Sequence, residues 1–208
     1  MVIEAFLSAA ATVSGLLHSA ALASRWTEPS ALAEFRISGL AGHLARGVFT
    51  VETYLARPVP AAEPIDATTY FLSVDDASDV ASERNRQIRE RGEADAGPSA
   101  DDLVTRYDAA LARLAAELPA LDGRRPVPMV GGQVLTLDQC LITRLVELLV
   151  HADDLAVSLD VPTPAFDDEA ADLVVTVLAR TARRRHGTVP VLRGLARHER
   201  SGARIAAF

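Results

Sequence analysis

The sequence predicts an all-α protein, and three observations lead to this prediction. Apolar residues recur at helical spacing in almost every periodic segment of the 208-residue chain. No two alternating, strand-like runs are joined by a hairpin turn. Proline, glycine and small polar residues interrupt the helical pattern where loops are needed. With 49% hydrophobic residues, residues 1–208 can form one domain with a substantial core.

The first part of the chain predicts three helices. The first covers about residues 3–24 and ends before the proline-containing stretch 27–30. The second covers about residues 38–55, has apolar residues along one face, and is followed by three prolines between residues 58 and 64. The third covers about residues 78–91; it is so strongly charged that we expect a partly exposed, solvated helix.

The second part predicts four more helices. Ser99, followed by Asp102, indicates a capping box and opens a helix that reaches about residue 118. A loop at 124–133 precedes Thr136 and Gln139, which repeat this signal at the start of a helix over 137–159. Two more helices follow. The first begins at 167 or 168 and ends at 186, and the second is short and covers 189–199. We expect a bundle core over about 1–160 and a helical extension over about 165–208.

Composition and charge exclude several classes of protein. The net charge of −7 and the pI near 5.2 disfavour a nucleic-acid binder or a protein that binds anionic membranes. A single cysteine, Cys140, excludes a disulfide framework and a Cys-rich zinc site, and it fits a reducing cytoplasm. We interpret the apolar stretch 1–25 as a helix and not a signal peptide, because it contains Glu4 and His18 and lacks a basic start. No membrane span is predicted.

The helix over 137–159 carries polar residues where leucine would normally lie. Cys140, Arg144, Glu147, His151 and Asp154 follow one another at spacings of four, three, four and three residues, and therefore share one face. The rest of this helix is apolar on most of its circumference, which is typical of a buried helix. Burying an unpaired charge in such surroundings costs on the order of several kcal/mol of folding free energy. These side chains must therefore be paired or must bind a ligand.

Two residues on this face are candidate metal ligands. Glu147 and His151 lie one helical turn apart, so that their side chains can reach the same point. His43, flanked by Gly42 and Leu44 in the second helix, is the candidate for a third ligand. Three ligands of the His and carboxylate type with one open position are typical of a catalytic zinc site.

Simpler interpretations of the same residues stay open. A Glu-x-x-x-His pair is often only solvated or hydrogen-bonded, and His43 could be a satisfied core histidine. Arg144 could form an internal ion pair with Glu147 without any metal. Cys140 fits a small buried apolar residue. For the remaining histidines we expect core or surface roles: His18, His186 and His198.

Three segments resemble the mycothiol-dependent maleylpyruvate isomerase family of the DinB-like superfamily. They are residues 143–155, Gly42-His43-Leu44, and the stretch 26–32. The pattern Arg-x-x-Glu-x-x-x-His-x-x-Asp-Leu is fairly specific when a glycine-flanked histidine precedes it by about a hundred residues. The resemblance covers about residues 26–159 and implies a four-helix bundle. It also implies that His43, Glu147 and His151 are metal ligands.

The resemblance implies a specific chemistry. The metal, usually zinc, with nickel or another divalent ion as alternatives, would receive the thiol of mycothiol, the sugar thiol of actinobacteria, in an open cavity. A bound metal favours thiolate over thiol and so provides a nucleophile. In an isomerase the thiolate adds to a double bond, permits rotation and leaves again; in a transferase it stays attached to a small electrophile. The lysine-free, alanine-rich composition is compatible with an actinobacterium.

Two further residues match the family pattern. Asp154 is expected to accept a hydrogen bond from the imidazole of His151, and Arg144 to balance Glu147 or orient a substrate carboxylate. The sequence departs from the full isomerase pattern, since the chain after His151 suffices only for two helices and a tail, which puts maleylpyruvate itself in doubt. The alternatives are a non-catalytic, metal-containing stress or accessory protein and a plain ligand-binding or interaction bundle. A homodimer is one expectation for the oligomeric state.

Overall fold

The structure, a computed structural model, describes residues 1–73, 82–200, 202 and 204–207. Most of these residues are helical, which confirms the predicted all-α class. The α-helices are, in order, α1 (Val2–Leu17), α2 (Ala20–Ser24), α3 (Ile37–Leu55), α4 (Ala67–Leu72), α5 (Glu83–Ala96), α6 (Ala100–Glu117), α7 (Leu137–Leu159), α8 (Asp168–His186) and α9 (Thr188–Ala196). Single 3₁₀ turns cover Leu118–Ala120 and His198–Arg200.

Four long helices form the core. Helices α1 and α3 each pack against both α6 and α7, which is the arrangement of a four-helix bundle. Apolar faces of all four helices are buried, and the hydroxyl of the fully buried Tyr107 on α6 donates to the carbonyl oxygen of Ala10 on α1 at 3.0 Å. Helix α5 packs along α3, and α8 packs against α1, α4 and α7. Helix α7 thus contacts α1 and α3 within the bundle and α4 and α8 on its outer side.

The long predicted helices agree with the structure. The bounds of α3 and α7 match the predictions to within a residue, and Ser99, Thr136 and Asp167 accept hydrogen bonds from backbone N–H groups at the starts of α6, α7 and α8. Gln139 does not complete a capping box, because its side-chain oxygen accepts from the backbone N–H of Ala67 at 2.8 Å. Its side chain thus connects α7 to α4.

Three predictions of local structure were wrong. The first predicted helix is interrupted after Leu17, because Ser19 caps a separate helix α2 with its side-chain oxygen. The described part of the third helix begins at Glu83, and it continues to Ala96 instead of ending at 91; the predicted start at 78 lies outside the described residues. Helix α4 has no counterpart among the predicted helices.

The predicted loop at 124–133 is in part a small hairpin. Strand β1 (Pro126–Pro128) pairs antiparallel with β2 (Val134–Thr136), and Gly131 and Gly132 at positive φ form the turn between them. The backbone N–H of Ile65 donates to the carbonyl oxygen of Val134 at 2.8 Å. The hairpin therefore holds the segment that leads into α4.

The C-terminal helices follow the prediction closely. Helix α8 ends in the basic cluster 183–186, and the last predicted helix is divided into α9 and a 3₁₀ turn. Of the helices described, none combines the length and the apolar character that crossing a membrane requires.

Candidate metal centre

His43 lies where three helices come close together. A Cβ added to its neighbour Gly42 would come within 2.1 Å of the carbonyl oxygen of Gly92, so glycine is needed for the contact between α3 and α5. One turn further along α3, a Cβ on Gly47 would come within 2.8 Å of a side-chain carbon of Leu148 on α7. Glycines on two sides of α3 thus bring the His43 ring between α5 and α7.

The three predicted ligands converge. The Nε2 atoms of His43 and His151 are 3.2 Å apart, and Oε2 of Glu147 lies 3.4 Å from each of them. All three side chains are largely buried, with 16% to 23% of their surface exposed. We call His43, Glu147 and His151 the metal triad, because their donor atoms are the type of cluster that could hold a metal ion.

The triangle of donor atoms has the size that a zinc ion requires. Around a tetrahedral zinc ion with bonds of about 2.0–2.1 Å, neighbouring ligand atoms are about 3.3 Å apart. The observed separations of 3.2 and 3.4 Å agree with that value. In addition, Nδ1 of His43 is buried and has no hydrogen-bond partner in the part of the chain that the structure describes, so only its Nε2 is engaged there. The donor set therefore fits a divalent ion with one position left open.

The protonation of the triad depends on burial and on neighbouring charges. Burial lowers the pKa of His43, which favours the neutral imidazole that a metal requires. Burial alone would lower the pKa of His151 as well, but hydrogen bonds to Asp154 and Glu147 raise it to about 9. Burial opposes ionisation of Glu147, yet the two imidazoles and the charge of Arg144 hold its pKa well below the ordinary value. Glu147 is therefore a carboxylate at neutral pH.

Asp154 lies where the sequence placed it, beside the imidazole of His151. Its Oδ2 is 2.8 Å from Nδ1 of His151, on the ring side opposite the triad. This contact holds the ring so that Nε2 points toward the other two residues of the triad. The hydroxyl of Ser158 donates to the backbone oxygen of Asp154 at 2.6 Å and anchors this segment.

Arg144 is buried but does not form the ion pair that the sequence left open. Within the described residues, no ion pair joins it to Glu147; its Nε donates to the hydroxyl of Thr143 at 3.2 Å. Its guanidinium lies 6.0 Å from the ring centre of Tyr54. Burial would lower its pKa, but nearby Glu147 and the phenol oxygens of Tyr54 and Tyr70 raise it above the ordinary value. Arg144 is thus a buried cation whose terminal nitrogens have no carboxylate partner among the described residues.

Two chambers open beside the triad. The apolar chamber has a volume of about 320 Å³, and its walls are mostly aliphatic and aromatic. Its lining residues are Leu32, Ala33, Phe35, His43, Tyr70, Phe71, Arg84, Asn85, Ile88, Arg89, Val146, Glu147, Val150 and His151. The donor-lined chamber, of about 450 Å³, contains many hydrogen-bond donors. It is lined by His43, Arg46, Gly47, Tyr54, Tyr70, Ser73, Arg84, Gln87, Ile88, Arg91, Val130, Gly131, Gln133, Arg144 and Glu147.

The other residues considered from the sequence lie elsewhere. Cys140 is buried, and burial raises the pKa of its thiol to about 11. His18 contacts Asp108 on α6 at 2.8 Å, and Nε2 of His186 contacts the backbone oxygen of Ala206. His198 is exposed in the C-terminal segment. None of these four residues lines either chamber.

Several lining residues could not be recognised in the sequence. Tyr70 belongs to helix α4, which the sequence does not predict, and Phe35 precedes α3. Arg84 and Arg91 belong to the helix for which the sequence predicts a solvated face; they are exposed, yet they line the donor-lined chamber. The only indication in the sequence that Arg46 lies near the site is weak, namely its position three residues after His43 on the same helix.

Fold and site together define a class of protein: a helical bundle with a His, Glu, His cluster on its inner helices and an open cavity beside it. Residues 6–156 match the family model described as the mycothiol maleylpyruvate isomerase N-terminal domain. The chain therefore belongs to this family, as its sequence motifs indicated. No curated protein and no solved structure matches the chain.

Proposed function

We propose that this protein is a metal-dependent enzyme that uses mycothiol as a thiol co-substrate, either an S-transferase or an isomerase, acting on a small electrophile. The observation that carries the proposal is the triangle of His43, Glu147 and His151 donor atoms, with sides of 3.2 to 3.4 Å, next to two open chambers. Membership in a family named for mycothiol supports the choice of mycothiol as the thiol.

His43, Glu147 and His151 would hold the ion, with zinc as the first expectation and nickel as an alternative. When bound, such an ion favours thiolate over thiol and so supplies the sulfur nucleophile at neutral pH. Glu147 contributes one negative charge and the two histidines none, so a divalent ion keeps net positive charge that favours an anionic ligand. Asp154 orients His151, and hydrogen bonds to the two imidazoles, together with the charge of Arg144, favour the ionised form of Glu147.

The surrounding protein directs ligands toward the triad and limits the access of water to it. Most leucines of α7 are buried, and Val146 and Val150 line the apolar chamber beside the triad, so that a ligand reaches the triad from the chambers. A largely buried charge cluster interacts more strongly with a ligand charge than an exposed one would. The arrangement thus suits a small thiol and a small electrophile that meet above His43 and Glu147.

The test begins with metal content. Protein purified without chelators is expected to contain about one divalent ion per chain, as a three-ligand site does. The variants His43→Ala and Glu147→Gln are expected to lose most of that metal. The matched control is His18→Ala, which removes a histidine that lines neither chamber. This variant should keep its metal. Circular dichroism melts of all three variants establish that each is folded.

Activity is then measured as the consumption of mycothiol with a panel of small electrophiles. We expect turnover that disappears on chelation and returns when zinc is added back. Metal-independent turnover would contradict the proposal, and so would a full metal content without any thiol consumption; the latter result would favour the non-catalytic, metal-containing protein. A metal content near zero in the wild-type protein would leave only a helical scaffold.

A further inference from the structure

The two chambers differ in chemistry although they share a boundary. His43, Glu147 and Tyr70 line both of them, together with Arg84 and Ile88. A ligand in either chamber can therefore approach the metal triad, but it meets different walls on each side.

The apolar chamber offers little to a charged ligand. Phe35, Phe71, Val146 and Val150 form its inner wall. Of its two arginines, Arg89 is already in an ion pair with Glu34 at 2.8 Å, and Arg84 stands at the boundary with the other chamber. A carboxylate placed against these walls would lose hydration without a dedicated partner, which is costly. The volume of about 320 Å³ is roughly twice that of a cavity of about 150 Å³ that holds benzene.

The donor-lined chamber has the opposite character. Arg144 is 7% exposed, and among the described residues its terminal nitrogens have no carboxylate partner. Among the described residues Arg91 has no carboxylate partner either, whereas the side-chain nitrogen of Gln87 already donates to Glu83 at 2.8 Å. A buried guanidinium with open donors is costly unless a ligand supplies oxygen atoms to it. Hydroxyl and carbonyl oxygens of a sugar can do so.

We propose that the two chambers separate the two co-substrates. The apolar chamber takes an uncharged, largely apolar electrophile about as large as a substituted or bicyclic aromatic ring, and the donor-lined chamber takes the hydroxyl-rich part of the thiol. This assignment rests on the proposed function and adds to it the class of electrophile. The thiol sulfur and the electrophile then meet at the shared boundary, above His43 and Glu147.

The first experiment measures binding without any reaction. Metal-free protein is dialysed against 4-nitrobenzyl alcohol, an unreactive aromatic compound whose absorbance gives the bound fraction. The variant Val150→Asn places an amide in the apolar chamber, and Val157→Asn, on the exposed side of the same helix, is its control. Since an unpartnered amide opposes apolar contact, we expect the Kd to rise about tenfold in Val150→Asn and to stay unchanged in Val157→Asn.

The second experiment separates the two chambers kinetically. Arg91→Gln removes a donor from the donor-lined chamber, and Arg86→Gln, an exposed residue of the same helix that lines neither chamber, is its control. In zinc-loaded enzyme, Arg91→Gln is expected to raise the KM for mycothiol severalfold and to leave the KM for an apolar electrophile unchanged. Val150→Asn should show the reverse pattern.

Two outcomes would overturn the assignment. One is aromatic binding that does not respond to Val150→Asn. The other is a preference for a carboxylated electrophile, with Arg91→Gln raising the KM of that electrophile instead of the KM of the thiol. Aromatic binding that depends on Val150, in a protein that never consumes thiol, would overturn the proposed function but would support the apolar chamber as a ligand site.

Discussion

The contact between Asp154 and His151 provides the sharpest test of the metal site. The two side chains are 2.8 Å apart, and Asp154 is only 26% exposed, so its charge acts on the imidazole with limited screening. We predict that Asp154→Asn weakens zinc binding. Losing such a supporting carboxylate typically costs 10- to 100-fold in metal affinity, or about 1.4–2.7 kcal/mol. Because asparagine keeps a hydrogen-bonding oxygen, we expect the lower limit, about tenfold.

The assay is a competition titration of metal-free protein with zinc and a chelating dye. A proton competes with the ion for His151, whose pKa is about 9, and the substitution lowers that pKa as well. Titrations near that pH therefore reveal the full loss, whereas at neutral pH weaker proton competition in the variant offsets part of it. The matched control is Asp153→Asn, because Asp153 is exposed and its Oδ1 accepts instead from Thr163 at 2.6 Å. Equal zinc affinity in both variants would refute the reasoning.

Three further predictions concern the scaffold. Gly42→Ala should lower the free energy of unfolding by about 1–3 kcal/mol, because its Cβ would meet a backbone oxygen at 2.1 Å, whereas Gly15→Ala, with open space around it, should be neutral or stabilising in chemical denaturation. Asp66→Ala should cost about 1 kcal/mol by removing the N-cap of α4. Hydrogen bonds from Thr69 at the cap lower the pKa of Asp66 below 3.8, so the charge of Asp66 contributes fully above that value and its contribution is lost as the pH falls through the lowered pKa. In melts against pH, the stability difference between wild type and Asp66→Asn should stay constant above 3.8 and shrink only in that acid range. Cys140 should resist thiol reagents in the folded protein, since it is buried with a pKa of about 11, and rapid labelling of native protein would contradict its placement.

The sequence predicted the long helices, in which apolar residues recur over several turns or a capping residue marks the start. Helices α3 and α7 span several turns each, so their apolar faces were legible, and Thr136 indicated the start of α7. The triad could be predicted because Glu147 and His151 lie one turn apart on one helix. The glycine-flanked His43 could be chosen as the third member because the chain contains only five histidines. Local signals and local geometry agreed in these cases.

The remaining features depend on tertiary contacts that have no local signal. Helix α4 contains six residues, less than two turns, and the strands β1 and β2 contain three each, so no period is visible. The break after Leu17 depends on one serine cap within an otherwise continuous apolar pattern. Chamber walls come from several separate segments, and Tyr70 joins them only because Gln139 and the hairpin hold the start of α4.

The triad and the chamber walls are carried by different parts of the molecule. The histidine and glutamate side chains of the triad project from the inner helices α3 and α7, whereas much of the wall comes from α4, α5 and the short segment before α3. Substitutions in these outer segments can change the shape of the chambers and leave the triad in place. If the proposed function holds, the choice of substrate can change in evolution independently of the residues that would hold the metal.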